Sequence, residues 1–253
     1  MTASAGTPGA QTQCRRGEAM QIDVTDSLLG QDRGTGEFWM YVWMRRIAVI
    51  TAHVVALGLT ILMSLLSRPG TSLFSWHPVL MSIAFCLCMT EAVLLFSAEG
   101  SPFCFKSKKG RVRLHWLLQG LVVGGGAVGV AFMVASKRVS ERPHMASWHS
   151  VLGAGTLALT ALQAAGGLCL LAPPAPLRGP LPPPRLRLYH ATAGLVAYLL
   201  AVATVTLAMF TDWFQATVKG PAWYALVLLP LLPALVVMNQ VTSAHLPRRK
   251  NDA

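Results

Sequence analysis

The sequence predicts an all-α integral membrane protein built as a six-helix bundle, and three observations carry that reading. Of 253 residues, 53% are hydrophobic and only 12% charged, with a mean hydropathy of +0.51, outside the usual composition of water-soluble domains. Six apolar windows reach the roughly 20 residues needed to cross a hydrocarbon core of about 30 Å: Ile47–Leu66, Leu73–Ser97, Leu114–Ser136, Met145–Leu171, Leu188–Phe210 and Pro221–Ser243. Glu91 is the one carboxylate or ammonium inside any of them. The third observation is the placement of basic residues, which alternates from one connection to the next.

Taken in order, residues 1–44 are polar, rich in Gly, Ser and Thr and without periodicity, so a disordered cytosolic tail is expected there. It ends in the aromatic cluster Phe38, Trp39, Tyr41 and Trp43, the composition of a membrane interface. The first window follows Glu18, Asp23, Asp26, Asp32 and Glu37, unlike the short basic start of a secretory signal, and is expected to remain as span 1. Residues 45–246 form the membrane domain and 247–253 a basic cytosolic tail. Between spans 4 and 5 the chain reads Ala172-Pro-Pro-Ala-Pro-Leu-Arg-Gly-Pro-Leu-Pro-Pro-Pro-Arg185; it serves as a stiff connector, and Pro180 to Arg185 also fits a proline-x-x-proline ligand pattern.

The net charge of +11 lies in short clusters between apolar runs, the pattern of topology signals and anion sites rather than of a nucleic-acid surface. The amino-terminal side, loops 2–3 and 4–5 and the tail carry 16 of the 21 Lys and Arg residues; the opposite loops carry Arg68, Lys137, Arg138, Arg142 and Lys219. The positive-inside tendency then places both termini in the cytosol. Five cysteines, with no C-x-x-C-H motif, indicate neither a disulfide framework nor a covalently attached haem.

Coordinating residues inside membrane helices are costly, and a set of them is a functional signal. His77 lies in the first turns of span 2, and His115, His149 and His190 lie near the starts of spans 3, 4 and 5. Because consecutive spans run in opposite directions, His77 and His149 share the non-cytosolic depth and His115 and His190 the cytosolic one. Spans 2 and 4 are parallel, as are 3 and 5, so in a four-helix bundle each pair can point inward across a shared cavity. That is bis-histidine haem geometry, with two irons about 20 Å apart by helical rise. Gly124, Gly125, Gly126 and Gly129, with Gly153, Gly155, Gly166 and Gly167, leave room for a porphyrin or allow close helix packing. A zinc or iron transporter would want carboxylates or several histidines at mid-depth, whereas Glu91 stands alone. His53 is read as a packing or hydrogen-bonding residue, His245 as interfacial, and His144 as a substrate contact or a loop residue.

At these residues the sequence resembles a known family. Ser75-Trp-His-Pro-Val-Leu-Met81, Arg113-Leu-His-Trp116, Ser147-Trp-His-Ser150 and Tyr189-His-Ala-Thr-Ala-Gly194 look like the four haem-bearing segments of cytochrome b561 proteins. Ser67-Arg-Pro-Gly-Thr-Ser-Leu-Phe74 and Met238-Asn-Gln-Val241 bring it close to the small animal cytochrome b561 domain-containing proteins, over about residues 45–250. The resemblance implies two non-covalent haem b groups, paired on His77 with His149 and on His115 with His190. It implies single-electron transfer from cytosolic ascorbate to monodehydroascorbate or ferric chelates, with the central four spans enclosing the haems. It further implies an endomembrane location, endoplasmic reticulum or vesicle, and a homodimer in the bilayer.

Family members hold ascorbate with basic residues near the cytosolic haem, which here match Lys109 and Arg113; Lys108, Arg111 and Arg187 are neighbours. Those positions also serve the topology signal. On the opposite face Arg68, Arg142 and His144 are candidates for an anionic acceptor. The competing readings are a haem-free membrane scaffold or transporter and a b-type cytochrome fed by quinol.

Overall fold

The computed structural model describes residues 39–97, 107–171 and 183–245. Six helices among them are long and apolar enough to cross a membrane. They are α1 (Trp39–Ser67), α2 (Leu73–Leu94), α3 (Lys108–Val139), α4 (Trp148–Leu171), α5 (Pro183–Ala208) and α6 (Pro221–His245). A short helix, Asp212–Thr217, precedes α6, and no strand occurs among the described residues. The chain is an all-α multi-pass membrane protein, as its composition predicts. The polar amino-terminal stretch up to residue 38, Lys106, most of the proline-rich connection and the basic carboxy-terminal tail lie outside the described residues.

Helix ends depart from the apolar windows for local reasons. α1 is already helical at Trp39, ahead of Ile47, and α3 begins at Lys108, ahead of Leu114. Hydropathy marks where lipid begins, whereas backbone hydrogen bonding continues into the interface. α4 starts later than Met145, because Ser147 and Ser150 close a reciprocal cap: Ser150 N–H donates to Ser147 Oγ at 3.3 Å and Ser147 N–H to Ser150 Oγ at 3.1 Å. Ser72 and Ser75 cap α2 in the same way. The two Ser-x-x-Ser boxes thus fix the starts of the two helices that carry His77 and His149.

The chain divides into two compact units, Met1–Arg45 and Arg46–Ala253. In the described part of the first, Trp39 and Trp43 meet edge to face at 6.4 Å. In the second, α2 packs on α3, α5 and α6, while α4 packs on α3 and α5. α2 to α5 therefore close a ring with α2 across from α4 and α3 across from α5. α2 is the axis of assembly: 61% of its apolar window is buried within the protein, against 11% for α4. α1 lays Ala52 into a core with Ala84, Phe85 and Cys88, and Thr60 Oγ1 donates to Ser82 O at 3.2 Å. Its other face exposes Ile50, Val54, Leu57, Ile61 and Leu65 at three- and four-residue spacing, an apolar stripe suited to lipid.

Two features of α2 lie beyond hydropathy. Pro78 sits inside the helix without a backbone donor, and the turns from Ser82 to Cys88 widen into π-helix. The glycines also divide by role. A Cβ at Gly126 would stand 2.9 Å from Leu157 Cδ1, and one at Gly129 3.1 Å from Met81 Cε and 3.3 Å from Leu80 Cβ, so both allow close helix packing. At Gly124, Gly155 and Gly166 it would meet nothing within 4 Å.

Candidate functional site

The four histidines of the central ring come together in two pairs. His77 on α2 faces His149 on α4 with ring centroids 6.3 Å apart and planes crossed at 85°. His115 on α3 faces His190 on α5 with centroids 6.3 Å apart and planes at 83°. Two imidazoles sharing one metal ion need ~2.0 Å of metal–nitrogen bond and ~1.1 Å from nitrogen to ring centre on each side, about 6.2 Å in all. Both pairs have that spacing.

Hydrogen bonds fix the tautomer. His77 Nδ1–H donates to Gly129 O at 3.0 Å, His149 Nδ1–H to Thr204 O at 3.0 Å and His115 Nδ1–H to Ala92 O at 2.9 Å. A carbonyl only accepts, so in these three rings the proton is on Nδ1 and the Nε2 lone pair is left for a metal. Each carbonyl is reachable for a local reason. Gly129 has no Cβ to hold α2 away. Thr204 is buttressed by Thr156, their hydroxyls 2.8 Å apart. Ala92 lies in the last turn of α2, where Phe96 N–H turns to Val93 O instead. The ring of His190 has its room from Gly167, where a Cβ would stand 3.3 Å from His190 Cε1.

The pairs lie at two depths. On α2, His77 and Ala92, the partner of His115, are 15 residues apart (92 − 77), about 20 Å once the shorter rise of the π-helical turns between them is set against the α-helical value. On α5, His190 and Thr204, the partner of His149, are 14 residues apart (204 − 190), about 21 Å. Two helices thus give one answer, in line with the separation expected from sequence.

The donor sets fit haem. Each site offers two imidazoles, and among the described residues no group of three or more His, Cys, Asp or Glu side chains is assembled for a metal ion. A bare zinc ion would need about four protein donors, whereas a porphyrin brings four nitrogens and asks for two axial ligands. Glu91 does not stand alone, as the sequence suggested: His53 Nδ1 lies 2.8 Å from each of its carboxylate oxygens. His53 thereby takes the hydrogen-bonding role expected of it.

The charged candidates sit around the two ends. Lys109 and Arg113 are exposed and, four residues apart, share one face of α3. Arg111 shares the face of His115, four residues on, and its Nε is buried without a hydrogen-bond partner among the described residues. The i to i+4 spacing that sets Arg111 beside His115 is legible in the sequence. At the other end Arg68, Arg142 and His144 are all exposed. Arg68 stands at φ +48°, a left-handed position in the α1–α2 turn, and Lys137 Nζ donates to Pro143 O at 2.8 Å in the α3–α4 turn.

A family model described as eukaryotic cytochrome b561 matches residues 76–215. The chain is 55% identical over 215 residues to the probable transmembrane reductase CYB561D1 of Homo sapiens, covering 85% of this chain and 93% of that protein. It is 46% identical over 214 residues to the transmembrane reductase CYB561D2 of Homo sapiens, covering 85% and 96%. The chain belongs to the eukaryotic cytochrome b561 family. A more distant relative is the ascorbate-specific transmembrane electron transporter 1 of Zea mays, 30% identical over 139 residues, 53% of this chain and 55% of that one. As a cytochrome b561 the protein is a b-type haem protein of transmembrane electron transfer, and the family match spans all four paired histidines.

Proposed function

We propose that this cytochrome b561 passes single electrons from cytosolic ascorbate to monodehydroascorbate or a ferric chelate on the opposite face. One haem b would be held by His115 and His190 and a second by His77 and His149. The observation that carries this reading is the repetition of one imidazole spacing, 6.3 Å, at two depths of one bundle. Bound there, haem supplies a one-electron centre at each level.

The residues of the chain do the rest. Nδ1–H bonds to Gly129, Thr204 and Ala92 hold three of the imidazoles in the tautomer that presents Nε2. With two imidazoles to hold it, a haem at either site would have no coordination position left for oxygen, so the chemistry it would supply is electron transfer. Ascorbate is a monoanion at neutral pH; Lys109, Arg113 and the buried-sided Arg111 are the groups to bind and orient it at the outer end of α3. The proton released on its oxidation passes to cytosolic water. The excess of basic residues at that end, 16 of 21, supports placing it in the cytosol. The maize relative's name supports ascorbate as donor. Arg68, Arg142 and His144 supply positive charge for an anionic acceptor on the other face.

The test is the visible spectrum of the purified protein before and after ascorbate, with haem quantified per chain. Two haems, both reduced, are expected. Absence of haem after supplementation during expression would replace this reading with that of a haem-free scaffold or transporter.

A further inference from the structure

Three consecutive residues at the end of α2 are each gripped by a polar side chain from a different helix. Glu91 accepts the Nδ1–H of His53 from α1, with 2.8 Å to each oxygen. Ala92 O accepts the Nδ1–H of His115 from α3 at 2.9 Å, and Val93 O accepts the Nε2–H of Gln240 from α6 at 2.9 Å. The backbone here leaves the α-helical pattern: Leu95 N–H still donates to Glu91 O, but Phe96 and Ser97 donate three residues back, to Val93 O and Leu94 O. The carbonyl passed over by this tightening is that of Ala92. Phe96, on the same turn, packs edge-on against His115 at 5.3 Å.

A carboxylate and an amide within membrane helices are expensive, and apolar residues could pack α1 and α6 onto α2 without them. Their position explains them better than their packing does. They fasten from two sides the turn whose free carbonyl orients an imidazole. The other pair has no such collar: Gly129 and Thr204 offer carbonyls from within the long helices α3 and α5.

We infer that His53, Glu91 and Gln240 are positioning residues for His115. They lock the terminal turn of α2, and through the Ala92 carbonyl they set the orientation and basicity of that imidazole, and so the reduction potential at the His115/His190 site alone. This rests on the ligand assignment proposed above. Outer-shell partners of a metal-bound histidine commonly change affinity or activity about 10–100-fold; residues one bond further out act more weakly.

Spectroelectrochemical titration of the full-length haem-loaded protein, with haem counted per chain, tests it in His53→Leu, His53→Asn, Gln240→Met and His115→Ala. The leucine and methionine variants lose the donor while keeping bulk; asparagine keeps an N–H close to where Nδ1 stands. His53→Leu and Gln240→Met are expected to retain two haems and to favour reduction at one of them about threefold to tenfold, at most ~59 mV for a one-electron couple. The direction follows because a slackened Nδ1–H bond makes the ligand less basic. The shifted haem should be the one missing in His115→Ala, and His53→Asn should return it toward the wild-type value. Unchanged potentials at both haems, or equal shifts or equal losses at both, would overturn the inference. Retention of both haems in His115→Ala would instead overturn the ligand assignment beneath it.

Discussion

The two histidine pairs share a spacing and differ in their supports. At the end where α2 and α4 begin, both helices start on a Ser-x-x-Ser cap, and His77 and His149 reach carbonyls of the neighbouring helices α3 and α5. At the other end His115 reaches the last turn of α2, a turn that α1 and α6 also hold. The surroundings differ as well: Lys108, Lys109, Arg111, Arg113, Arg185 and Arg187 border the His115/His190 end, against Arg68, Lys137, Arg138, Arg142 and Lys219 at the other. Equal ligands with unequal supports allow one donor set to serve two centres of different potential. Positive charge near a bound iron would favour its reduced form, so the charge difference suits the proposed entry of electrons from ascorbate at the basic end.

The largest effects should come from the ligands themselves. His115→Ala or His190→Ala is expected to remove one haem of two and abolish reduction by ascorbate. His77→Ala or His149→Ala should remove the other haem and leave entry of the first electron intact. Haem content together with stopped-flow reduction separates the cases, and four variants all retaining two haems with full transfer would break the comparison outright.

A pair of glycine substitutions comes next, and it probes each end by packing rather than ligation. Gly167→Ala sets a Cβ 3.3 Å from His190 Cε1, a ring that cannot yield without turning. It should shift only the His115/His190 potential, by about threefold, and lower stability by about 1 kcal/mol. Gly129→Ala sets a Cβ against Leu80 Cβ and the flexible tip of Met81, pushing α2 from the carbonyl that His77 uses. Its effect should fall on the His77/His149 site. Equal effects of both variants on both potentials would show that the ends are not independent.

Much of this architecture is legible in the sequence, and the missing parts have a physical reason in common. Spans follow from hydropathy, and the pairing of histidines follows from the alternation of helix direction, since only one membrane depth is open to each. What holds the imidazoles is silent, because Gly129, Thr204 and Ala92 contribute backbone carbonyls that any residue has. The His53–Glu91 pair is separated by 38 residues and its two members sit in different spans, so no spacing rule joins them. The π-helical stretch Ser82–Cys88 likewise has no pattern of its own.

Basic residues at the mouth should matter for donor binding and leave the haems alone. Lys109→Ala and Arg113→Ala are each expected to raise the ascorbate KM about threefold to tenfold, with the loss growing smaller as salt is raised. Arg111→Ala should act at least as strongly, because it shares the face of His115. Arg68→Ala, Arg142→Ala and His144→Ala should leave the rate of ascorbate entry unchanged and slow delivery to an anionic acceptor. A KM effect from Arg142→Ala with none from Lys109→Ala would reverse the assignment of the two faces, and equal effects would abolish it.

The smallest expected effect tests how rigid the simpler end is. Thr156 and Thr204 hold hydroxyls 2.8 Å apart, and Thr204 Oγ1 also donates to Leu200 O at 2.9 Å, which steadies the stretch of α5 whose carbonyl His149 uses. Thr156→Val removes that contact in a position that is 2% exposed. A net hydrogen bond is worth about 1 kcal/mol, so thermal unfolding should move by that much and no more. Because the Thr204 carbonyl remains fixed by the body of α5, the His77/His149 potential should move less than in Gly129→Ala. A shift there as large as that of Gln240→Met at the opposite end would mean that both ends depend on side-chain clamps, and that the difference in their supports has no consequence for their potentials.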